Sequence, residues 1–144
     1  MLKVVQFEPK HLKELSLQPA QAYMSPQIMK PDYGTSFVEA GPAYTGIADG
    51  RVVVCAGVFE MWAGRGMAWA LIADNIPHHF LSIHRAVRKF LVNCPIRRIE
   101  AYVDVGFEEA HQWADILGFT LETPQPMRGF MGNRDMYMYA LIKE

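Results

Sequence analysis

The sequence lacks the features that mark secreted, disulfide-bonded or membrane-spanning proteins. Only two of its 144 residues are cysteine, Cys55 and Cys94, and their spacing is not C-x-x-C. We expect two buried thiols in a reducing compartment. No apolar run approaches the roughly 18 residues that a membrane span requires, and the charged start MLKVVQFEPKHLKEL is not that of a signal peptide. The sequence therefore predicts one cytoplasmic domain over residues 1–144.

The sequence also lacks an excess of charge of either sign. Its formal net charge is −1, which gives no global attraction to nucleic acid or to an anionic membrane, so neither is expected as a partner. A histidine pair with metal-binding helical spacing is missing too. No two histidines lie four residues apart and there is no H-E-x-x-H, so we predict no metal site. The histidines are His11, His78, His79, His84 and His111.

Glycine is absent between Gly66 and Gly106, where an apolar strand runs into a helix in ALIADNIPHHFLSIHRAVRKFL, residues 70–91. Apolar residues spaced at about 3.6 predict a helix that packs one face against a sheet and ends at Cys94-Pro95. Asp74 or Asn75 is expected to cap its start, and Pro77 suits its first turn. The helical stripe is formed by Ile76, Phe80, Ile83, Val87, Phe90 and Leu91.

The order of the other elements predicts the fold class. Alternation indicates strands at 2–7, 43–49, 51–62, 67–73 and 98–105, with a hairpin at Asp49-Gly50. A helix is expected after Pro9 and another before Gly118, followed by a short strand and a terminal hairpin. Residues 19–41 contain three prolines and are interpreted as mostly irregular, with a short helix near Gln27. The result is an α+β fold, with a mixed, mostly antiparallel sheet of six to seven strands and helices on both faces.

This order resembles the GNAT superfamily, the acyl-CoA-dependent N-acyltransferases. The best local match is EEAHQWADILGFTLE, residues 108–122, in which Ala110 lies eight residues before Gly118-Phe119. The resemblance implies acetyl-CoA or CoA as cofactor. It also implies that pantetheine lies where the fourth and fifth strands, here 67–73 and 98–105, separate.

Two family features are missing. The family's Arg/Gln-x-x-Gly-x-Gly/Ala loop, which brings backbone N–H groups to the pyrophosphate, corresponds here to residues 74–80. Those residues include no glycine, Pro77 lacks an N–H, and Asp74 adds negative charge. The family's proton-donating tyrosine corresponds to Ala114. If acyl-CoA still binds, a non-standard cradle is expected from the strand end and the helix start, through Leu71, Ile72, Ala73, His78, His79 and Phe80.

The run from residue 72 to residue 122 is also similar in layout to small GNAT-like proteins of T7-like bacteriophages and of prophages. In those proteins, too, a basic helix replaces the glycine loop. This resemblance implies a protein with a degenerate acyl-CoA site that binds a host or virion protein in the bacterial cytoplasm. An active acetyl-CoA-dependent N-acyltransferase with a non-standard cradle is the alternative.

Acyl transfer to an amine requires a base for the ammonium proton and usually an acid for the thiolate. Glu60 and Glu100 are the carboxylates on predicted strands, and Tyr102 is the candidate acid. The simpler interpretation is a solvent-facing strand residue for each carboxylate and a packing residue for the tyrosine. The polar face of the long helix, from His78 to Lys89, could be a solvated face, a macromolecule-binding patch or a phosphate contact. The apolar strand MYMYALI is either central in the sheet or half of a homodimer contact.

Overall fold

The computed structural model describes residues 2–30 and 32–144, so Pro31, one of the three prolines in residues 19–41, lies outside the described part. The helices are α1 (Lys10–Glu14), α2 (Ser25–Ile28), α3 (Tyr33–Ala40), α4 (Phe80–Asn93) and α5 (Glu108–Leu117), with 3-10 turns at Pro19–Met24 and Pro77–His79. The strands are β1 (Leu2–Gln6), β2 (Ala43–Ala48), β3 (Arg51–Trp62), β4 (Arg65–Ile72), β5 (Arg98–Asp104), β6 (Thr120–Leu121), β7 (Met127–Met131) and β8 (Arg134–Ile142).

The strands form one mixed sheet in the order β1-β2-β3-β4-β5-β8-β6, and β7 also pairs with β8. The pairs β1–β2, β2–β3, β5–β8, β6–β8 and β7–β8 are antiparallel. The pair β4–β5 is parallel, as expected for strands joined through a helix. The prediction of a mostly antiparallel α+β fold is confirmed, with eight strands instead of six to seven.

The chain groups into two compact units, one formed by residues 1–59 and 69–94 and the other by residues 60–68 and 95–144. Below they are called the first and the second unit, and each is described by itself. The core of the first unit contains Leu12, Val53, Val58 and Ile83, each at most 1% exposed. The core of the second unit contains Ile99 and Met136, also at most 1% exposed. The prediction of a single domain stays a prediction.

The helix predicted after the strand in residues 70–91 forms, but it starts differently from the expectation. A 3-10 turn at Pro77–His79 precedes α4, and α4 itself begins at Phe80. The prediction that Asp74 or Asn75 caps the helix is wrong, because no side chain caps either segment. Asp74 instead binds Arg51, and Asn75 takes a left-handed backbone with φ 51°.

The segment 19–41 is more regular than its prolines suggested. It contains a 3-10 turn, the short helix α2 around Gln27 and the eight-residue helix α3. α3 was missed because its sequence, YGTSFVEA, has no strong helical periodicity. Phe37 anchors it in the first unit by packing on Trp69, with ring centroids 4.3 Å apart.

Two predictions about the second unit are confirmed. Gly118 ends α5 in the left-handed conformation, φ 98°, as a glycine just beyond a helix often does. β8 is an interior strand, since β5 pairs with one of its edges and β6 and β7 pair with the other. The interior position of β8 therefore explains its two apolar faces without a homodimer. The homodimer itself stays a prediction. No helix in the described part of the chain is both long enough and apolar enough to cross a membrane.

Candidate functional site

The first candidate region is the edge of β4 that faces away from β3, at residues 70–74 in the first unit. The N–H of Ala73 donates to Val53 O of β3 at 2.9 Å. Because backbone groups alternate along a strand, Ala70 and Ile72 direct theirs to the opposite edge. In the second unit, the parallel ladder between β4 and β5 contains three residue pairs and reaches Met67 and Glu100. Beyond it, β4 offers backbone donors and acceptors to some other partner.

That partner is the side chain of Gln21. Its Nε2 donates to Ala70 O at 2.7 Å, and its Oε1 accepts from Ile72 N–H at 3.0 Å. The orientation of the amide is fixed, because a carbonyl can only accept and a backbone N–H can only donate. Gln18 supports this arrangement by donating from its own Nε2 to Gln21 Oε1 at 3.0 Å. One side-chain amide thus makes the pair of bonds that a neighbouring backbone would make.

The chain just before Gln21 continues the same pattern. Leu17 forms an antiparallel bridge with Ala73. Gln18 N–H donates to Ile72 O at 3.0 Å, and Asp74 N–H donates to Ser16 O at 2.7 Å. Residues 16–21, here named the covering segment, therefore bind the backbone of residues 70–74. The side chains of Leu71, Ile72 and Ala73, three of the predicted cofactor residues, are buried at 5, 7 and 1% exposure.

The other predicted cofactor residues lie at the start of α4. His78 and Phe80 are exposed, His79 is partly buried, and the two imidazole centroids are 4.2 Å apart. The N–H groups of His79 and Phe80 are used internally, by Ile76 O and Pro77 O. The start of α4 therefore presents fewer backbone N–H donors to an anion than a glycine loop would.

The carboxylates near the start of α4 also disfavour the binding of an anion. Asp49 Oδ2 lies 3.4 Å from His79 Nε2. Asp74 is paired with Arg51, whose Nη2 donates to Asp74 Oδ1 at 2.7 Å and to Asp74 O at 2.8 Å. The arginine that could have bound a phosphate is thus already engaged with a carboxylate.

The second candidate region is a charged cluster around Glu100 in the second unit. Glu100 is 1% exposed. Its Oε2 accepts from Arg65 Nε at 2.8 Å and from Arg98 Nε at 2.7 Å. Its Oε1 accepts from Arg65 Nη2 at 3.1 Å and from Tyr102 Oη at 2.6 Å. Arg98 continues the cluster by pairing with Glu122.

This environment makes Glu100 a poor base. The hydrogen bond from Arg65 is the largest influence and, with those from Tyr102 and Arg98, lowers the pKa of Glu100 to about 2 despite its burial. Such a carboxylate keeps its charge at neutral pH and has low affinity for a proton. The structure favours a structural ion-pair role over the predicted catalytic one.

Tyr102 and Glu60, the remaining predicted catalytic residues, differ in their surroundings. Burial, together with the bond to Glu100, raises the pKa of Tyr102 to about 12. Its hydroxyl already donates a hydrogen bond to the Glu100 carboxylate, and the raised pKa makes it a weak acid for a thiolate. Glu60 is exposed on β3. The structure therefore brings Glu100 and Tyr102 into contact as mutual partners.

A second polar cluster in the second unit joins β5, α5 and β8. Asp104 is paired with Arg134 and accepts from Gly106 N–H at 2.8 Å. His111 Nε2 lies 2.9 Å from Asp104 O, and its Nδ1 lies 2.8 Å from Tyr139 Oη. Since a carbonyl only accepts, His111 Nε2 is the donor to Asp104 O, and a ring with its one hydrogen there accepts from the Tyr139 hydroxyl at Nδ1. This tyrosine is buried, so the cluster links elements instead of presenting an acid to solvent.

Several of the residues that define these regions were not predicted from the sequence. The Arg98-x-Glu100 spacing on one strand face was a usable signal for the charged cluster. Arg65 joins the cluster because the parallel register places it opposite Arg98. No sequence pattern marks Gln21 as a binding residue, because its partners lie 49 and 51 residues further along the chain.

No family profile and no curated protein matches the sequence. Solved structures do match its fold. A candidate phosphinothricin N-acetyltransferase superposes with a TM-score of 0.77 at 11% identity, over 100% of this chain and 99% of that chain. A GNAT-family acetyltransferase from Bacillus cereus ATCC 10987 gives 0.68 at 10% identity, over 100% and 99%. This chain has the GNAT fold.

A further match is the spermidine N-acetyltransferase from Vibrio cholerae, solved in complex with CoA and spermine. Its TM-score is 0.68 at 15% identity, over 98% of this chain and 95% of that chain. That GNAT-fold protein thus binds CoA. Similarity at this level of identity shows the fold and leaves the activity of this chain to be argued from its own residues.

Proposed function

We propose that this GNAT-fold chain has a degenerate acyl-CoA site and acts by binding another protein. The observation that carries the proposal is the covering segment, which uses the backbone groups of residues 70–74. The family resemblance places pantetheine along this strand, where an amide ligand would need those same donors and acceptors. In this chain Gln21, Gln18 and Ser16 already satisfy them.

Three further features support the loss of acyl transfer. The helix start has no glycine loop, and its nearby arginine is paired with Asp74. The position of the family's tyrosine is Ala114, which is buried. Glu100 is held as an ion pair by two arginines. Each feature removes a different requirement of the reaction: anion binding, proton donation or proton acceptance.

A lysine-rimmed pocket in the first unit supports a protein-binding role. A cavity of about 180 Å³ is lined by Pro9, Lys10, Lys13, Ile28, Lys30 and Gly34. The three lysines are exposed, so they can attract an acidic side chain while the apolar floor contributes burial. The resemblance to bacteriophage and prophage proteins makes a host or virion protein in the bacterial cytoplasm the partner that we propose.

Calorimetric titration with CoA and, separately, with acetyl-CoA tests the loss of the cofactor site. We expect neither heat nor thermal stabilisation at millimolar ligand. Gln21→Ala frees the Ile72 N–H, so any weak CoA binding should strengthen in this variant and stay unchanged in the exposed control Gln27→Ala. A micromolar Kd for the unmodified chain would contradict the proposal and favour the alternative, an N-acyltransferase with a non-standard cradle. A screen of amine acceptors, with Glu60→Gln as the base variant, would then follow.

Charge reversal tests the pocket. Once a partner is identified by affinity capture, the triple variant with Lys10, Lys13 and Lys30 changed to Glu should weaken its binding. Lys3→Glu, at an exposed residue of β1, is the control. Equal binding by the triple variant and the unmodified chain would show that the partner uses another surface.

A further inference from the structure

Three side chains that can ligate a metal converge at one corner of the first unit. Asp49 lies in the turn between β2 and β3, and His78 and His79 lie in the 3-10 turn before α4. One ligand atom from each residue falls within 4.8 Å of the other two. His79 Nε2 is 3.4 Å from Asp49 Oδ2. Because Asp49 is 29 positions before His78, sequence spacing alone predicted no such site.

The two loops that carry these residues are held in place. Arg51, two residues after Asp49, makes two hydrogen bonds with Asp74, four residues before His78. The turn itself is fixed by left-handed backbone at Asp49 and Gly50, with φ values of 54° and 73°. The two segments that carry the ligands are thus held at a set separation by the hydrogen bonds between Arg51 and Asp74.

The ligand chemistry selects a class of cation. Two imidazoles and one carboxylate suit Zn²⁺, Cu²⁺ and Ni²⁺, whereas Ca²⁺ and Mg²⁺ prefer oxygen ligands only. Metal–ligand bonds of about 2.0–2.2 Å place ligand atoms about 3.4 Å apart in a tetrahedral site. The carboxylate is 77% exposed and His78 is also exposed, so side-chain rotation can bring the three atoms to that spacing.

We propose that Asp49, His78 and His79 form a binding site for a late first-row divalent cation such as Zn²⁺. Three protein ligands leave a fourth tetrahedral position for water or a further ligand. A cation bound there joins the β2–β3 turn to the start of α4. Because unfolding separates the three ligands, the bound metal stabilises the folded chain.

The test is calorimetric titration of the full chain, with any affinity tag removed, using ZnCl₂ in a non-chelating buffer. We expect one site with a micromolar Kd and a rise in Tm with Zn²⁺. Asp49→Asn, His78→Gln and His79→Gln should each weaken binding by at least about tenfold. His84→Gln, on α4 outside the cluster, is the matched control and should leave the Kd unchanged.

Co²⁺ provides a second readout that does not depend on stability. Ligation by this set should give visible d–d absorption, which the three cluster variants lose and His84→Gln retains. Absence of binding below millimolar Zn²⁺ would overturn the proposal. So would binding that survives all three cluster substitutions, or that His84→Gln removes.

Discussion

Arg65 donates two hydrogen bonds to Glu100, from Nε to Oε2 at 2.8 Å and from Nη2 to Oε1 at 3.1 Å. This two-point geometry is the strong form of an arginine–carboxylate pair. With Arg98 on the same carboxylate, it gives a buried charge whose contribution depends on pH.

Glu100→Gln should destabilise the chain in a pH-dependent way. The folded pKa of about 2 lies below the reference value of 4.5, so ionised Glu100 stabilises the fold above about pH 4.5 and this contribution is lost as pH falls toward 2. The shift corresponds to roughly 3 kcal/mol at neutral pH. Urea unfolding at several pH values measures it, with exposed Glu60→Gln as the control, expected to change stability by less than about 0.5 kcal/mol. A pH-independent loss in Glu100→Gln would contradict this account.

Tyr102→Phe should cost about 1.5–3 kcal/mol, the usual range for a hydrogen bond to a charged group. The hydroxyl donates to Glu100 at 2.6 Å, so its removal should matter only while Glu100 is ionised. In the double variant with Glu100→Gln, the combined loss should therefore be smaller than the sum of the single losses. Tyr44→Phe, at a partly exposed tyrosine of β2, is the control. Additive losses would show that the two side chains do not interact.

Gln21→Ala should increase amide exchange at Ile72. The variant removes the acceptor of the Ile72 N–H and the donor to Ala70 O, which should cost about 1–3 kcal/mol. Residue-resolved hydrogen exchange measures the change, with Ala73 as an internal reference because its N–H is bound to Val53 O. Unchanged protection at Ile72 would mean that the covering segment is not held by this side chain.

Both thiols should be unreactive in the folded chain. Cys55 and Cys94 are both buried thiols, and burial raises the pKa of Cys55 to about 12. A thiol reagent such as DTNB should modify neither until the chain is unfolded, when two thiols should react. One fast-reacting thiol without denaturant would contradict the buried placement.

The parts of the fold that depend on local pattern could be predicted from the sequence. Asp49-Gly50 and Gly118 each act within a few residues and are found where expected. α4 forms with Ile83 and Leu91 of its predicted stripe buried, whereas Phe80 is exposed. α3 was not predicted, and the cap of α4 was predicted wrongly, because tertiary contacts decide both. Phe37 packs on Trp69, and Arg51 binds Asp74. The candidate regions were even less predictable. The partners of Gln21 and the position of Asp49 beside His79 depend on chain segments that meet only after folding.

The covering segment has a consequence for colloidal behaviour. A strand edge with unsatisfied N–H and C=O groups is a template for strands of other molecules. Around Leu71 and Ile72 such an edge would be flanked by apolar side chains, a combination that promotes intermolecular sheet growth. Residues 16–21 bind the backbone groups of this edge, so we expect them to limit such pairing, a role separate from the proposed closing of a ligand position. Weakening them should shorten the time that concentrated samples remain clear, even where the global Tm changes little.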